Sequence, residues 1–367
     1  MHITLFREDL LQPLQMVMGV VERRQTLPIL SHVLLNVEDG MLQITATDLE
    51  VELQARIKLV HPAENSQITV PGRKLVDICR SLPDEAEVSL TLDKQQVTLK
   101  SGRSRFTLST LPAEEFPFVE GEAANAEFNL PQNLLKEHIE HIQFAMAQQD
   151  VRYYLNGMLW QVGNGKFTNV ATDGHRLALA EHSLDLGLSE LCQVIVPRKG
   201  IIELGRLLEV SDDHVTVKIG TNHLIIDADS FTFTSKLIDG RFPDYQKVLP
   251  KAGNNILICD KEVIKQALVR ASVLTNEKYR GVRFELSQNN LHITANNPEQ
   301  EQAEDELEVN YSGDDLTVGF NVGYLIDVLN AINETQVKFT LSDTNAGVLV
   351  EAADNPDYTY VVMPMRL

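Results

Sequence analysis

The sequence predicts an α+β protein built from three copies of one unit, each with helices on one face of antiparallel sheet. Two observations carry this. Segments recur at one spacing: TATDLEVEL from Thr45, VATDGHRLAL from Val170 and TANNPEQEQ from Thr294 lie 125 and 124 residues apart, while VPGRKLVDICRSL from Val70, VPRKGIIELGRLL from Val196 and FNVGYLIDVLNAI from Phe320 lie 126 and 124 apart. Within each copy, helix-period and strand-period stretches follow in the same order. With 367 residues, 43% hydrophobic and 23% charged, the chain can fill several cores.

Each copy opens on a short β-like segment that runs into an amphipathic helix: ITLFREDLLQPLQMV, FNLPQNLLKEHIEHI and ILICDKEVIKQALVR. Alternating runs follow, as in VLLNVEDGMLQITATDLEVELQARIKL, where Glu38-Asp39-Gly40 punctuates a hairpin. The VP signal then starts a second helix, with Arg73-Lys74-Leu75 and Arg198-Lys199-Gly200 opening an i, i+3, i+4 apolar pattern. More strands close the unit, and FTLSTLPAEEFP from Phe106 is echoed by FTFTSKLIDGRFP from Phe231. The six predicted helices are residues 7–24, 72–80, 132–147, 198–206, 260–271 and 321–332. FPFVEGEAANAEF and FPDYQKVLPKAGNN, rich in Pro, Gly and Asn, read as linkers, which puts the expected domains at 1–120, 128–248 and 254–367.

Composition narrows the function. There is no run of 18 apolar residues, and MHITLFREDLLQPLQ is charged where a signal peptide is apolar, so a cytoplasmic protein is expected. Cys79, Cys192 and Cys259 are far apart and lack metal-ligand spacing; they read as buried thiols of a reducing compartment. Phosphate-loop, dinucleotide, zincin and nucleophile-elbow signatures are all missing, and neither a metal nor a cofactor is expected. His138 and His141 read as partly solvated helix residues. In NVATDGHRLALAEH, Asp173 and His175 could form an acid/base pair or half a metal site, but Asp-Gly is a strong turn signal. Thr47-Asp48 and Thr172-Asp173 occupy equivalent places, so the Thr-Asp pair reads as a hairpin feature of the repeat. His175, Arg176 and Leu177 belong to the middle copy alone, since the first has Glu50, Val51 and Glu52 there.

The net charge of −20 argues against wholesale wrapping by nucleic acid. Yet the predicted helices hold 13 Lys or Arg against 10 Asp or Glu, so positive charge concentrates on them. Arg23-Arg24, Arg73-Lys74 and Arg198-Lys199 are basic pairs at helix ends, suited to phosphate contact without sequence reading.

With its three units, VRYYLNGML, ATDGHRLALA, RFPDY, NNPEQE and the terminal YVVMPMRL, the chain resembles from end to end the bacterial sliding clamps, the beta subunits of DNA polymerase III. The resemblance implies three clamp-type domains, and a head-to-tail dimer forming a six-domain ring around duplex DNA, with twelve helices lining the hole. Helices spaced at roughly 9 Å make a ring of axes about 35 Å across, enough for a hydrated duplex. DNA contact would fall to Arg24, Arg73, Gln149, Tyr153, Tyr154, Arg198, Lys199 and Arg206. It also implies a cleft for short linear motifs of DNA polymerases, the clamp loader and repair proteins. Matching positions are Leu155, Thr172, Gly174, His175, Arg176 and Leu177, then Pro243, Val248 and Tyr324, then Val361, Met363, Pro364 and Met365. Arg152 and Arg176 would meet polar or acidic peptide groups, and Lys247 stands where an Arg is expected. At the dimer joint, Phe106 and Leu108 would pack against Val273 and Leu274 while Lys74, Arg103 and Arg105 face Glu299, Glu301 and Glu304. Such a protein has no catalytic residue. The competing readings are a triplicated enzyme, which needs a poised partner for His175, and an adaptor that needs no basic stripe.

Overall fold

The structure is a computed structural model that describes residues 2–21, 27–61, 63–93, 96–119, 122–188, 190–250 and 253–366. The first repeat runs β1 (His2–Phe6), α1 (Arg7–Val17), β2 (His32–Glu38), β3 (Met41–Thr47), β4 (Val51–Lys58), β5 (Ser66–Pro71), α2 (Gly72–Ser81), β6 (Glu87–Asp93), β7 (Gln96–Ser101) and β8 (Ser104–Ser109). The second has the same order: β9 (Ala126–Pro131), α3 (Gln132–Ile142), β10 (Gly157–Gly163), β11 (Lys166–Thr172), β12 (Arg176–Ser183), β13 (Cys192–Pro197), α4 (Arg198–Leu207), β14 (His214–Ile219), β15 (His223–Asp227) and β16 (Phe231–Lys236). The third adds one two-residue strand: β17 (Asn255–Asp260), α5 (Lys261–Ser272), β18 (Gly281–Ser287), β19 (Asn290–Asn296), β20 (Gln302–Glu308), β21 (Asn310–Tyr311), β22 (Leu316–Asn321), α6 (Val322–Ala331), β23 (Gln336–Leu341), β24 (Val348–Ala352) and β25 (Tyr358–Val362).

Sheets do not follow repeat boundaries. Two compact units form, residues 1–134 with 199–237, and residues 135–198 with 238–367. In the first, β5-β2-β3-β4 of repeat one continues through β16-β15-β14-β9 of repeat two. The joint is antiparallel, from Val51 opposite Ser235 to Ala55 opposite Phe231, and Arg56 of β4 donates to Asp227 and Thr232 beyond it. In the second unit β13-β10-β11-β12 continues through β25-β24-β23-β17-β21, with Arg176 opposite Val362 and Ala180 opposite Tyr358. A four-stranded sheet is left over in each unit: β1-β6-β7-β8 in the first, β20-β19-β18-β22 in the second. Among the described residues eight strands end a sheet with one edge unpaired, β8 and β20 among them.

Helices cover one face of these sheets. Leu10, Leu14 and Val17 of α1 are buried, as are Leu75, Val76 and Cys79 of α2, each large side chain contributing about 1.5–3 kcal/mol. Burial also pushes the Cys79 thiol up to about 11, so it serves as a small hydrophobe. Cys259 is buried too, whereas Cys192, at the start of β13, is only partly so. The first helix, expected to reach residue 24, stops at Val17; Met18 to Val20 turn around Gly19, where a Cβ would collide with the Glu203 carboxylate. The third ends at Ile142 and tightens into a 3-10 turn over Gln143–Ala145.

One further expectation is overturned and another is extended. His138 and His141 are buried at 1% and 5% exposure, not partly solvated. Both point into the sheet, where His138 Nδ1 lies 2.7 Å from Asn169 Oδ1 and His141 Nδ1 lies 3.0 Å from Tyr360 Oη. Burial pushes the His138 imidazole down to about 4. The Pro-rich linkers are also partly core: Phe116, Phe242 and Tyr245 are all buried.

Candidate functional site

The Thr-Asp hairpin is built identically in the first two repeats. Thr47 Oγ1 donates to the Val51 carbonyl and accepts from Leu49 N, while Asp48 Oδ1 accepts from Glu50 N and Val51 N. Thr172 Oγ1 donates to the Arg176 carbonyl and accepts from Gly174 N, while Asp173 Oδ1 accepts from His175 N and Arg176 N. The third turn residue has positive φ in both, +76° at Leu49 and +89° at Gly174, which Gly tolerates without strain. The segment is a turn, and among the described residues no group of three or more His, Cys, Asp or Glu is placed to hold a metal ion.

What differs is the surroundings. The Asp48 side chain is buried and accepts from Lys199 Nζ of α4. Asp173 instead takes Arg176 Nε at 3.1 Å, and Arg176 reaches Asp327 of α6 at 2.5 Å and the Phe144 carbonyl at 2.8 Å. Its guanidinium lies between the Phe144 and Tyr324 rings, 5.0 and 4.6 Å from their centroids. Arg176 is therefore a fixed strut. Arg152 binds Asp150 through two nitrogens, holding that carboxyl down to about 2, and lies across Gly174.

Beside this hairpin lies a cavity of about 250 Å³. Leu155, Leu177 and Val361 form its buried floor, Thr172, Gly174, Arg152 and Arg176 one rim, and Pro243, Val248 and Met363 the other. Tyr154 and Tyr245 also line it, the first expected at DNA and the second not expected at all. His175 and Tyr324, rings stacked at 6.3 Å, face an adjoining pocket of about 320 Å³ with Arg198. Met365 lies in a third pocket, and Pro364 lines none of the three. The tail is tied down: Met363 N donates to the His175 carbonyl and Met365 N to that of Gly319, both at 2.8 Å. Lys247 is 82% exposed and paired with Asp244, outside the cavity lining.

The basic residues scatter more widely. Arg73 and Lys74 are exposed at the start of α2, and Arg206 is exposed at the end of α4 beside Glu203. Gln149 and Tyr153 are exposed on the loop after α3, whereas Arg198 donates to the Gln143 and Met146 carbonyls and Lys199 is engaged by Asp48. Arg24 lies outside the described residues. On the open edges, Arg103 and Arg105 flank the start of β8, and Glu299, Glu301 and Glu304 lie exposed on or before β20. Val273 is 76% exposed, Leu274 and Phe106 are half-buried, and Leu108 is already buried within its own chain.

Three family descriptions match this chain in order: DNA polymerase III beta subunit, N-terminal domain over residues 1–120, central domain over 129–244 and C-terminal domain over 246–366. The chain belongs to the DNA polymerase III beta subunit family. The beta sliding clamp of Pseudomonas aeruginosa is 54% identical over all 367 residues of both chains, and that of Escherichia coli 51%. The crystal structure of the beta subunit from Pseudomonas aeruginosa superimposes with a TM-score of 0.98 at 54% identity, covering 100% of each chain. A second structure from that organism, bound to griselimycin, has the same score and identity with full coverage of both. Members of this family are processivity subunits, and this chain is a DNA polymerase III processivity factor without its own catalytic site. Membership of the family implies DNA and polymerase as partners.

Proposed function

We propose that the chain closes with a second copy, head to tail, into a cytoplasmic ring around duplex DNA, and that partner proteins dock short peptides in the cavity beside His175. One observation carries the ring. Within the chain, β4 meets β16 and β12 meets β25, each time joining the first half of one repeat to the second half of the next. The two strands that lack such a neighbour are β20, the third-repeat counterpart of β4 and β12, and β8, the first-repeat counterpart of β16 and β25. Pairing β20 of one chain with β8 of another repeats the same joint and removes both open edges. Arg103 and Arg105 then oppose the acidic β20 region, which sets register and partner choice.

Inside the ring, sequence-blind contacts from Arg73, Arg206, Gln149 and Tyr153 hold DNA weakly, so attachment is topological. The decisive measurement is retention after loading. The protein should persist on nicked circular duplex and run off once that duplex is linearised; equal retention on both would mean that it grips DNA rather than encircling it.

A further inference from the structure

The repeat places a counterpart of the candidate peptide cavity in the third copy, and its chemistry is inverted. Offsets of 124 carry Leu155 to Tyr279, Thr172 to Asn296, Asp173 to Asn297 and the buried Leu159 to Arg283. Tyr279, Arg283, Asn296 and Asn297 line one pocket of about 540 Å³, completed by Asn276, Gln302, Met365 and Arg366 among others. Among the described residues no Asp or Glu lines it, in a chain carrying 52 of them. Arg283 and Arg366 are exposed and make no ion pair among the described residues, and Asn297 replaces the carboxylate that engages Arg176 in the middle copy. Of the acids beside it in sequence, Glu299 is exposed, while Glu301 and Glu304 already accept amide protons from Asn297 and Gln302 at 2.6 Å.

The C-terminal tail contributes to both pockets. Met363 lines the apolar cavity and Met365 and Arg366 line the polar one, with the Met365 amide bonded to Gly319, whose neighbour across the sheet is Arg283. From Met363 to Met365 the extended tail advances about 7 Å, so a peptide lying along it beyond its anchor is directed from the first pocket towards the second. We propose that this polar pocket receives an acidic flank of the partner peptide, its carboxylates meeting Arg283 and Arg366. Arginine presents paired donors that match a carboxylate, and the remaining amides of the pocket add neutral donors. The middle-copy cavity stays open although β25 pairs alongside β12; the counterpart stays open in the same way with a strand added to β20.

The inference rests on the apolar cavity being a peptide cleft, and the test separates the two. Synthetic peptides sharing one leucine and phenylalanine anchor segment carry three glutamates or three glutamines, placed on either side. Against the full-length protein at low salt, one glutamate-flanked peptide should bind about fivefold tighter than its glutamine twin, a preference that fades as salt rises. The Arg283→Ser, Arg366→Ser double variant should abolish the preference while leaving glutamine-peptide affinity unchanged. Equal binding of both peptides to the unmodified protein would sink the acidic-flank proposal and leave the cleft standing. Binding of neither would sink both. A preference that survives in the double variant, or arginine substitutions that instead weaken short-duplex DNA binding, would overturn it in favour of Arg152 or of DNA phosphate.

Discussion

His138 shows how one side chain makes stability depend on pH. Free imidazole titrates near 6.5 and the folded one at about 4, so between those values the unfolded chain binds the extra proton. Its contribution to stability should be constant above about pH 6.5, fall as pH drops towards 4 and lose about 3 kcal/mol across that window. Urea midpoints at pH 7.5 and 5 should diverge for the natural protein and draw together for His138→Gln. At Lys199 the charge is also structural. Removing it leaves the buried Asp48 carboxylate with only its two backbone donors, so Lys199→Met should cost about 1–2 kcal/mol, a figure reduced because the lysine is part-exposed. Arg206→Gln should leave stability within about 0.5 kcal/mol and lower the salt dependence of DNA binding. Thermal melts paired with salt titrations separate the two roles. The sequence shows that these residues are basic, but their engagement depends on acceptors 151 positions away for Lys199 and 31 for His138, and no local pattern reports those.

At the level of elements, the tail from Met363 onward is the most testable piece. It follows β25, which pairs with both β12 and β24, so its removal should spare folding. It supplies one wall of the apolar cavity through Met363 and is fixed by two backbone bonds. Deleting it should weaken binding of the glutamine-flanked anchor peptide at least tenfold by calorimetry while leaving the melting temperature within a few degrees; undiminished affinity would move the cleft elsewhere. Helices and hairpins were legible because their signals are local: Asp39-Gly40 takes positive φ as a tight hairpin requires, and the second helices start at the VP segments as read. The pairings of β4 with β16 and β12 with β25 were not, since contacts across about 180 positions leave no periodicity behind. Tyr245 was missed for a related reason. It sits in a Pro- and Asn-rich stretch that reads as a linker, yet its ring is buried in the cluster around Leu177 and Val361.

For the whole molecule, the prediction is dimerisation through the free edges of β8 and β20. Val273 is the most exposed apolar residue expected at that joint, so Val273→Asp should reduce the solution mass at micromolar concentration from two chains to one without altering the melt of the isolated chain. A variant that stays at two chains would place the joint elsewhere. The interleaving of repeats also has a consequence for synthesis. A ribosome delivers β12 at residue 183 but β25 only at 358–362, and at roughly 5–20 residues per second the nascent chain carries a half-apolar strand with one edge unpaired for about 10–35 s. The same wait separates β4 from β16. Each growing chain therefore presents, twice, an edge that the β16-like or β25-like strand of a neighbouring chain on the same messenger could fill, and the spacing of ribosomes becomes a determinant of whether rings or tangles are made.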